Sequence, residues 1–179
     1  FIGSHLCEKL LEENHDVICI DNFNDYYDPE IKERNIEQAL ENSNFYLIRG
    51  DILNIDILRE VFSEGIDRVA HLAAIAGVRA SIADPQKYVD IDIKGTLNLL
   101  EMAREHQIEQ FVFASSSSVY GTNRKVPFSE DDPVENQASP YATAKRSAEL
   151  YCRTYNHLYG VPVTILRFFT VYGPRQRPD

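Results

Sequence analysis

Tyr141 and Lys145 stand four residues apart in the stretch SPYATAK, and four consecutive serines, Ser115 to Ser118, close the apolar run FVFA just upstream. Positions i and i+4 share one face of a helix, so a phenol and an ammonium can point together into the cleft beyond that run. A free phenol has a pKa of about 10 and is ionised to only about one part in a thousand at pH 7. A neighbouring ammonium favours the phenolate and lowers that pKa. Hydroxyls facing such a pair suit proton and hydride chemistry on an alcohol, if the rest of the chain holds a nicotinamide cofactor to receive the hydride. Against this, Tyr and Lys four apart occur by chance on many helices, and a serine run can be an ordinary loop.

The elements that would position these groups follow from the pattern. Apolar runs at Val17–Ile20, Phe45–Ile48, Val69–Leu72, Phe111–Ala114 and Val163–Phe168 alternate with helix-period segments. The first helix begins at the very start, with Leu6, Leu10 and Leu11 on its apolar face. Asp28-Pro29, Asp84-Pro85 and Ser139-Pro140 each read as an N-cap followed by Pro at the first helical position. They predict helices to about Glu41, His106 and Tyr159, and Gly160 stops the last. Asn54 caps a further helix through Phe62, and a polar loop runs from Thr122 to Ala138. Continuous apolar strands separated by helices imply one α/β domain with a doubly wound parallel sheet. The 179 residues suffice for one core, and 44% hydrophobic and 26% charged residues are those of an ordinary globular chain. A formal net charge of −10 disfavours a nucleic-acid partner. No apolar run approaches the roughly 20 residues of a membrane span, and the first residues given, FIGSHLCEKL, lack the layout expected of a secretory signal. Cys7, Cys19 and Cys152 lack metal-ligand spacing, so no metal is expected, and they favour a reducing, cytoplasmic setting.

In such a sheet ligands bind beyond the carboxyl ends of the strands. Ile2 and Gly3 open the first helix, where a pyrophosphate could meet free N–H groups; equally, the glycine could serve close packing. Asp21, followed by Asn22, ends the first apolar run, as expected of a carboxylate that binds a ribose 2′-hydroxyl and repels the 2′-phosphate of NADP. Asp51 and Ile52 end the next run and could meet an adenine edge and face. Leu72, Ala73, Ala74, Ala76 and Gly77 suit a backbone that passes close to a flat cofactor, or simply tight packing.

Taken together, FIGSHL, DNFNDYYDP, GDI, HLAAIAGVRAS, KGTLNLLE, FASSSSVYG, SPYATAK and RFFTVYGP resemble the extended short-chain dehydrogenase/reductase family, and within it the NAD-dependent nucleotide-sugar epimerases. The resemblance covers essentially the whole chain. It implies a Rossmann-type sheet, with Tyr141 as general base, Lys145 as its partner and Ser116 as the helper hydroxyl. Gly3 matches the third glycine of the family's G-x-x-G-x-x-G motif; the first two, and the strand before them, are not in this sequence. In the order 3-2-1-4-5-6 that strand is central, so its neighbours are expected to stand apart. The resemblance implies a longer protein with a smaller carboxyl-terminal substrate domain after Asp179, and an inactive literal 1–179 piece.

Ser117 and Ser118 occupy positions where sugar dehydratases of this family carry an Asp-Glu pair and decarboxylases a Glu, which favours epimerisation over elimination. The closest resemblance is to UDP-glucuronate 4-epimerases, with UDP-glucose and UDP-N-acetylglucosamine 4-epimerases as alternatives. Thr170, where galactose-type enzymes usually have Asn, leans towards the uronate. Arg79, Arg175 and Arg177 are candidates for a diphosphate or carboxylate, or solvated surface charges. Asp92 departs from the many relatives with Asn there. A homodimer through the Pro85–His106 and Ser139–Tyr159 helices is also implied. A net keto-sugar oxidoreductase and a non-catalytic NAD-binding domain are the competing readings.

Overall fold

All five apolar runs form strands, and every pairing among them is parallel. The computed structural model describes residues 1–177; Pro178 and Asp179, at the predicted junction with a further domain, lie outside the described residues. Strands β1 (Val17–Asp21) and β2 (Phe45–Arg49) pair with Val17 opposite Phe45 and Asp21 opposite Arg49. Strands β3 (Arg68–His71), β4 (Gln110–Ser116) and β5 (Val163–Phe168) form a second sheet in that order. Among the described residues β1 and β3, the expected neighbours of a central strand, make no ladder with each other. One core nevertheless joins the two sheets. Ile18, Ile20 and Ile48 pack against the cluster of Leu58, Phe62, Leu100, Phe111, Phe113 and Ala148.

Helices α1 (Ile2–Glu12), α4 (Ile55–Ser63) and α8 (Pro140–Tyr159) lie where the periodicity puts them. Two expectations need correction. The helix predicted from Pro29 to Glu41 is split into α2 (Pro29–Arg34) and α3 (Glu37–Leu40), with Ile36 at a non-helical φ of −116° and ψ of 2°. The break leaves Ile36 and Ala39 both buried. The helix predicted from Pro85 is α6 (Pro85–Tyr88) and α7 (Gly95–Glu105) joined by a π-helical stretch, Val89–Lys94. Such widened turns recur at functional sites. A short α5 (Val78–Ala83) forms after the small-residue run, and Ser117–Tyr120 are a 3₁₀ turn rather than open loop.

Strand β4 runs two residues beyond its apolar part, because Ser115 and Ser116 still pair with Arg167 and Phe168 of β5. Gly121 then ends the turn at φ +57°, where a Cβ would lie 1.9 Å from the Asn136 carbonyl oxygen. Only glycine allows that approach. Thr122 N–H donates to the same carbonyl, and Phe128 stacks on Tyr120, so the long loop is tied to the strand end.

Candidate active site

Helix α8 delivers the chemistry. Ser139 Oγ accepts from Ala142 N–H at 3.1 Å, Pro140 takes the first helical position, and Gly160 stops the helix in the left-handed conformation. Tyr141, Lys145 and Glu149 then follow at i, i+4 and i+8 on one face. Lys145 is 4% exposed, donates from Nζ to the Ala114 carbonyl at 3.2 Å and lies over the Phe113 ring. Ser116 caps the 3₁₀ turn by accepting from Ser118 N–H at 3.2 Å, which leaves its own proton available. Burial pushes the Tyr141 phenol up, the Ser116 hydroxyl acts in the opposite direction, the Asp92 charge adds to the rise and Arg177 opposes it. Ser116, Tyr141 and Lys145 therefore converge at the carboxyl end of β4.

The neighbouring serines divide by role. Ser115 Oγ donates to Glu149 Oε1 at 2.7 Å and is turned into the core, while Ser117 and Ser118 are half-buried in the 3₁₀ turn. Glu149 is fully buried and also accepts from Arg146 at 2.9 Å and from both Nε and Nη2 of Arg167, at 2.9 and 3.0 Å. Burial alone would raise its pKa, but the hydrogen bonds from Arg167, Ser115 and Arg146 hold it below the usual carboxylate range. Sequence reasoning missed this cluster. Its signal was present, since Glu149 continues the Tyr141–Lys145 spacing by one more step of four.

Asp92, noted in the sequence only as a departure, is the other buried carboxylate at the site. Its Oδ1 accepts from Ile75 N–H at 2.9 Å, and its Oδ2 lies 4.0 Å from Lys145 Nζ without a hydrogen bond. Burial raises its pKa and Lys145 opposes the rise; burial lowers the pKa of Lys145 and Asp92 opposes that fall. The Asp92 carbonyl accepts from Thr96 Oγ1 at 2.6 Å, so Thr96 can only accept from His71 Nε2, 2.9 Å away. This assigns the Nε2–H tautomer, and burial holds His71 neutral with a pKa of about 3.

The cofactor candidates line the carboxyl ends of β1, β2 and β3. Ile2 and Gly3 form the first turn of α1, and a Cβ on Gly3 would meet only Leu72 Cδ1, at an ordinary 3.6 Å. Helix packing therefore does not require glycine there. Asp21 is exposed, with Oδ1 accepting from Phe23 N–H at 2.8 Å. Asn22 Nδ2 donates to Asp51 Oδ2 at 2.9 Å, which joins the ends of β1 and β2. Ile52 is buried, with its side chain packed against Gly95. Ala73 and Ala76 are exposed and Ala74 half-buried, on the loop that Asp92 holds through Ile75.

The substrate candidates are less convergent. Arg79 is exposed on α5 and Thr170 exposed just after β5. Arg175 pairs with Glu8 at 2.7 Å and donates to Ser4 Oγ, so α1 already holds it, and the Arg177 guanidinium lies over the Tyr26 ring.

The NAD dependent epimerase/dehydratase family matches residues 1–179, the whole chain. The chain belongs to that family. It is 48% identical over 181 residues to UDP-glucuronate 4-epimerase 4 of Arabidopsis thaliana, covering all of this chain and 41% of that protein. UDP-glucuronate 4-epimerase of Thermodesulfobacterium geofontis is 45% identical over 180 residues, with 100% and 55% covered. Among solved structures, UDP-glucuronic acid 4-epimerase from Bacillus cereus, in complex with UDP-glucuronic acid and NAD, superposes with a TM-score of 0.92 at 44% identity. That match covers 100% of this chain and 56% of the other. The chain thus spans about half the length of these relatives, and its fold is the Rossmann-type fold of this family.

Proposed function

We propose that the full-length protein is an NAD-dependent nucleotide-sugar 4-epimerase acting on UDP-glucuronate. The observation that carries this reading is the convergence of Ser116, Tyr141 and Lys145 at the end of β4, beside a 3₁₀ turn in which Ser117 and Ser118 offer no carboxyl group. Neither serine can stand in near neutral pH for the carboxyl acid and base that water elimination needs, so the site suits reversible oxidation rather than loss of water. The similarity to UDP-glucuronate 4-epimerases supports the choice of sugar.

The residues present fit a dinucleotide. The free N–H groups of α1 suit a pyrophosphate, with Gly3 admitting close approach, and the exposed Asp21 carboxylate suits a ribose diol and repels a 2′-phosphate. Asn22, Asp51 and the alanines after β3 line the remaining edge. NAD, when bound, supplies a hydride acceptor that can return the hydride. Tyr141, as phenolate, takes the proton of the sugar's C4 hydroxyl through Ser116, and Lys145 contributes the positive charge that favours the phenolate. The resulting 4-keto sugar turns, and Tyr141 gives the proton back after hydride addition to the other face. Ser117, Thr170 and Arg79 are the candidate sugar and diphosphate contacts.

The protein works as a cytoplasmic homodimer in this reading. No helix among the described residues is long and apolar enough to cross a membrane, and Leu150, Tyr151, Leu158 and Tyr159 leave an apolar strip exposed on α8. The test is to give the full-length protein UDP-glucuronate, UDP-glucose and UDP-N-acetylglucosamine and to resolve the products. UDP-galacturonate from the first is the expected result. No C4 epimer from any of the three sinks the reading, and net accumulation of NADH replaces it with an oxidoreductase.

A further inference from the structure

Lys145 is buried with one hydrogen bond, to the Ala114 carbonyl, and an aromatic ring beneath it. Neither carries a full negative charge, and an ammonium so enclosed tends to lose its proton. Asp92 is the carboxylate beside it. Its side chain is completely buried, one oxygen is fixed by Ile75 N–H, and the other is bare and faces Nζ at 4.0 Å. The π-helical stretch Val89–Lys94 holds it there, together with Thr96 bonded to its carbonyl.

The titratable groups that act on this pair or on the neighbouring Tyr141 come from several elements. From α8 come Tyr141 and Cys152, from α6 Tyr88, from β3 the neutral His71, and from the carboxyl-terminal segment Arg177, which acts on Tyr141 and Tyr88. Burial raises Tyr88 to about 12 and Cys152 to about 12, so both are neutral near pH 7. Lys145, Asp92 and Arg177 are then the charged members.

We propose that Asp92 is an ionised positioning residue that keeps Lys145 charged and thereby sets the pH window in which Tyr141 works. The carboxylate has two effects of one sign on the profile. It favours the ammonium, which moves deprotonation of Lys145 to higher pH. It disfavours the nearby phenolate, which moves ionisation of Tyr141 to higher pH as well. Replacing it by the isosteric, uncharged Asn keeps an acceptor for Ile75 N–H and removes both effects. The acid and basic limbs of kcat/KM against pH then move together to lower pH, by on the order of one unit. A merely structural role would change the height of the profile and leave both limbs in place.

This inference rests on the proposed epimerase reading for its kinetic readout, so the experiment pairs that readout with one needing no turnover. In the full-length protein, kcat/KM for UDP-glucuronate is measured against pH for wild type and Asp92→Asn. In parallel, the Asp92 carboxyl and the Lys145 ammonium are titrated by carbon-13 and nitrogen-15 NMR. The expected results are an ionised Asp92 at pH 7 in the wild type, a lysine that loses its proton at lower pH in the variant, and a joint shift of both limbs. A protonated Asp92 at pH 7, or fixed limbs in an active variant, overturns the proposal. If Asp92→Asn does not fold, the wild-type carboxyl titration decides. An ionised pair in a protein without epimerase activity upholds the pair and removes only the functional reading.

Discussion

Glu149, carried by α8 one turn beyond Lys145, and Asp92, carried by the π-helical stretch that faces Lys145, are both buried carboxylates, yet their surroundings differ. Glu149 has Arg167 in a two-pronged contact, Arg146 and Ser115, so both its oxygens are hydrogen-bonded. Asp92 has one backbone N–H and an ammonium at 4.0 Å, and one oxygen is bare. The pKa of the first is held below the carboxylate range and that of the second is pushed above it. A saturated carboxylate ties β4, β5 and α8 into a fixed unit. An unsaturated one leaves the neighbouring lysine and phenol responsive to what enters the site.

The comparison breaks most sharply if catalysis and stability fail to separate. Tyr141→Phe removes the reacting oxygen and only its hydrogen bond with Ser116, so turnover in the full-length protein should fall about 10²–10⁴-fold. Its midpoint of urea unfolding should stay close to the wild type. Glu149→Ala should do the reverse, since it strands Arg167 and Arg146. Removing one partner of a buried pair costs about 3–5 kcal/mol, to be read from urea unfolding.

The pH dependence of stability should carry opposite signs at the two sites. Because the folded pKa of Glu149 is depressed, its contribution is complete above the ordinary carboxylate value and lost as pH falls through the folded one. Because that of Asp92 is raised, its contribution is complete below the ordinary value and lost as pH rises through the folded one. Glu149→Gln should therefore flatten the acid side of the stability curve. Asp92→Asn should gain on the wild type as pH rises, with each slope limited to about 1.4 kcal/mol per pH unit. Equal signs in thermal unfolding across pH 3–7 would contradict the contrast. The smallest effect compares adjacent serines. Ser115→Ala should cost about 1 kcal/mol or somewhat more of stability through Glu149 and leave turnover nearly unchanged, whereas Ser116→Ala should cost a similar amount through the lost cap of the 3₁₀ turn and in addition slow turnover.

The groups carried by spacing were legible in the sequence. Tyr141 and Lys145 follow from an i, i+4 pair behind a Ser-Pro helix start, and Asp21 and Asp51 from their places at the ends of apolar runs. Parallel pairing followed from strands that are apolar throughout. What the sequence could not display depended on geometry between distant segments. The π-helical turn has no residue signature, so Asp92 could be singled out but not placed against Lys145. The break at Ile36 lies inside a run with no proline or glycine to announce it. The four serines looked interchangeable until Glu149, Arg167 and the 3₁₀ turn divided them.

One carboxylate touches both halves of the site. Asp92 holds the loop after β3 through Oδ1 and faces the lysine through Oδ2. A ligand that displaces that loop alters the carboxylate's surroundings, and hence its affinity for a proton. By thermodynamic reciprocity, a proton on Asp92 alters the affinity for that ligand by the same factor. Ligand binding and proton uptake are thus two readings of one equilibrium. The heat of binding should vary with the ionisation enthalpy of the buffer, and Asp92→Asn should remove the Asp92 part of that variation.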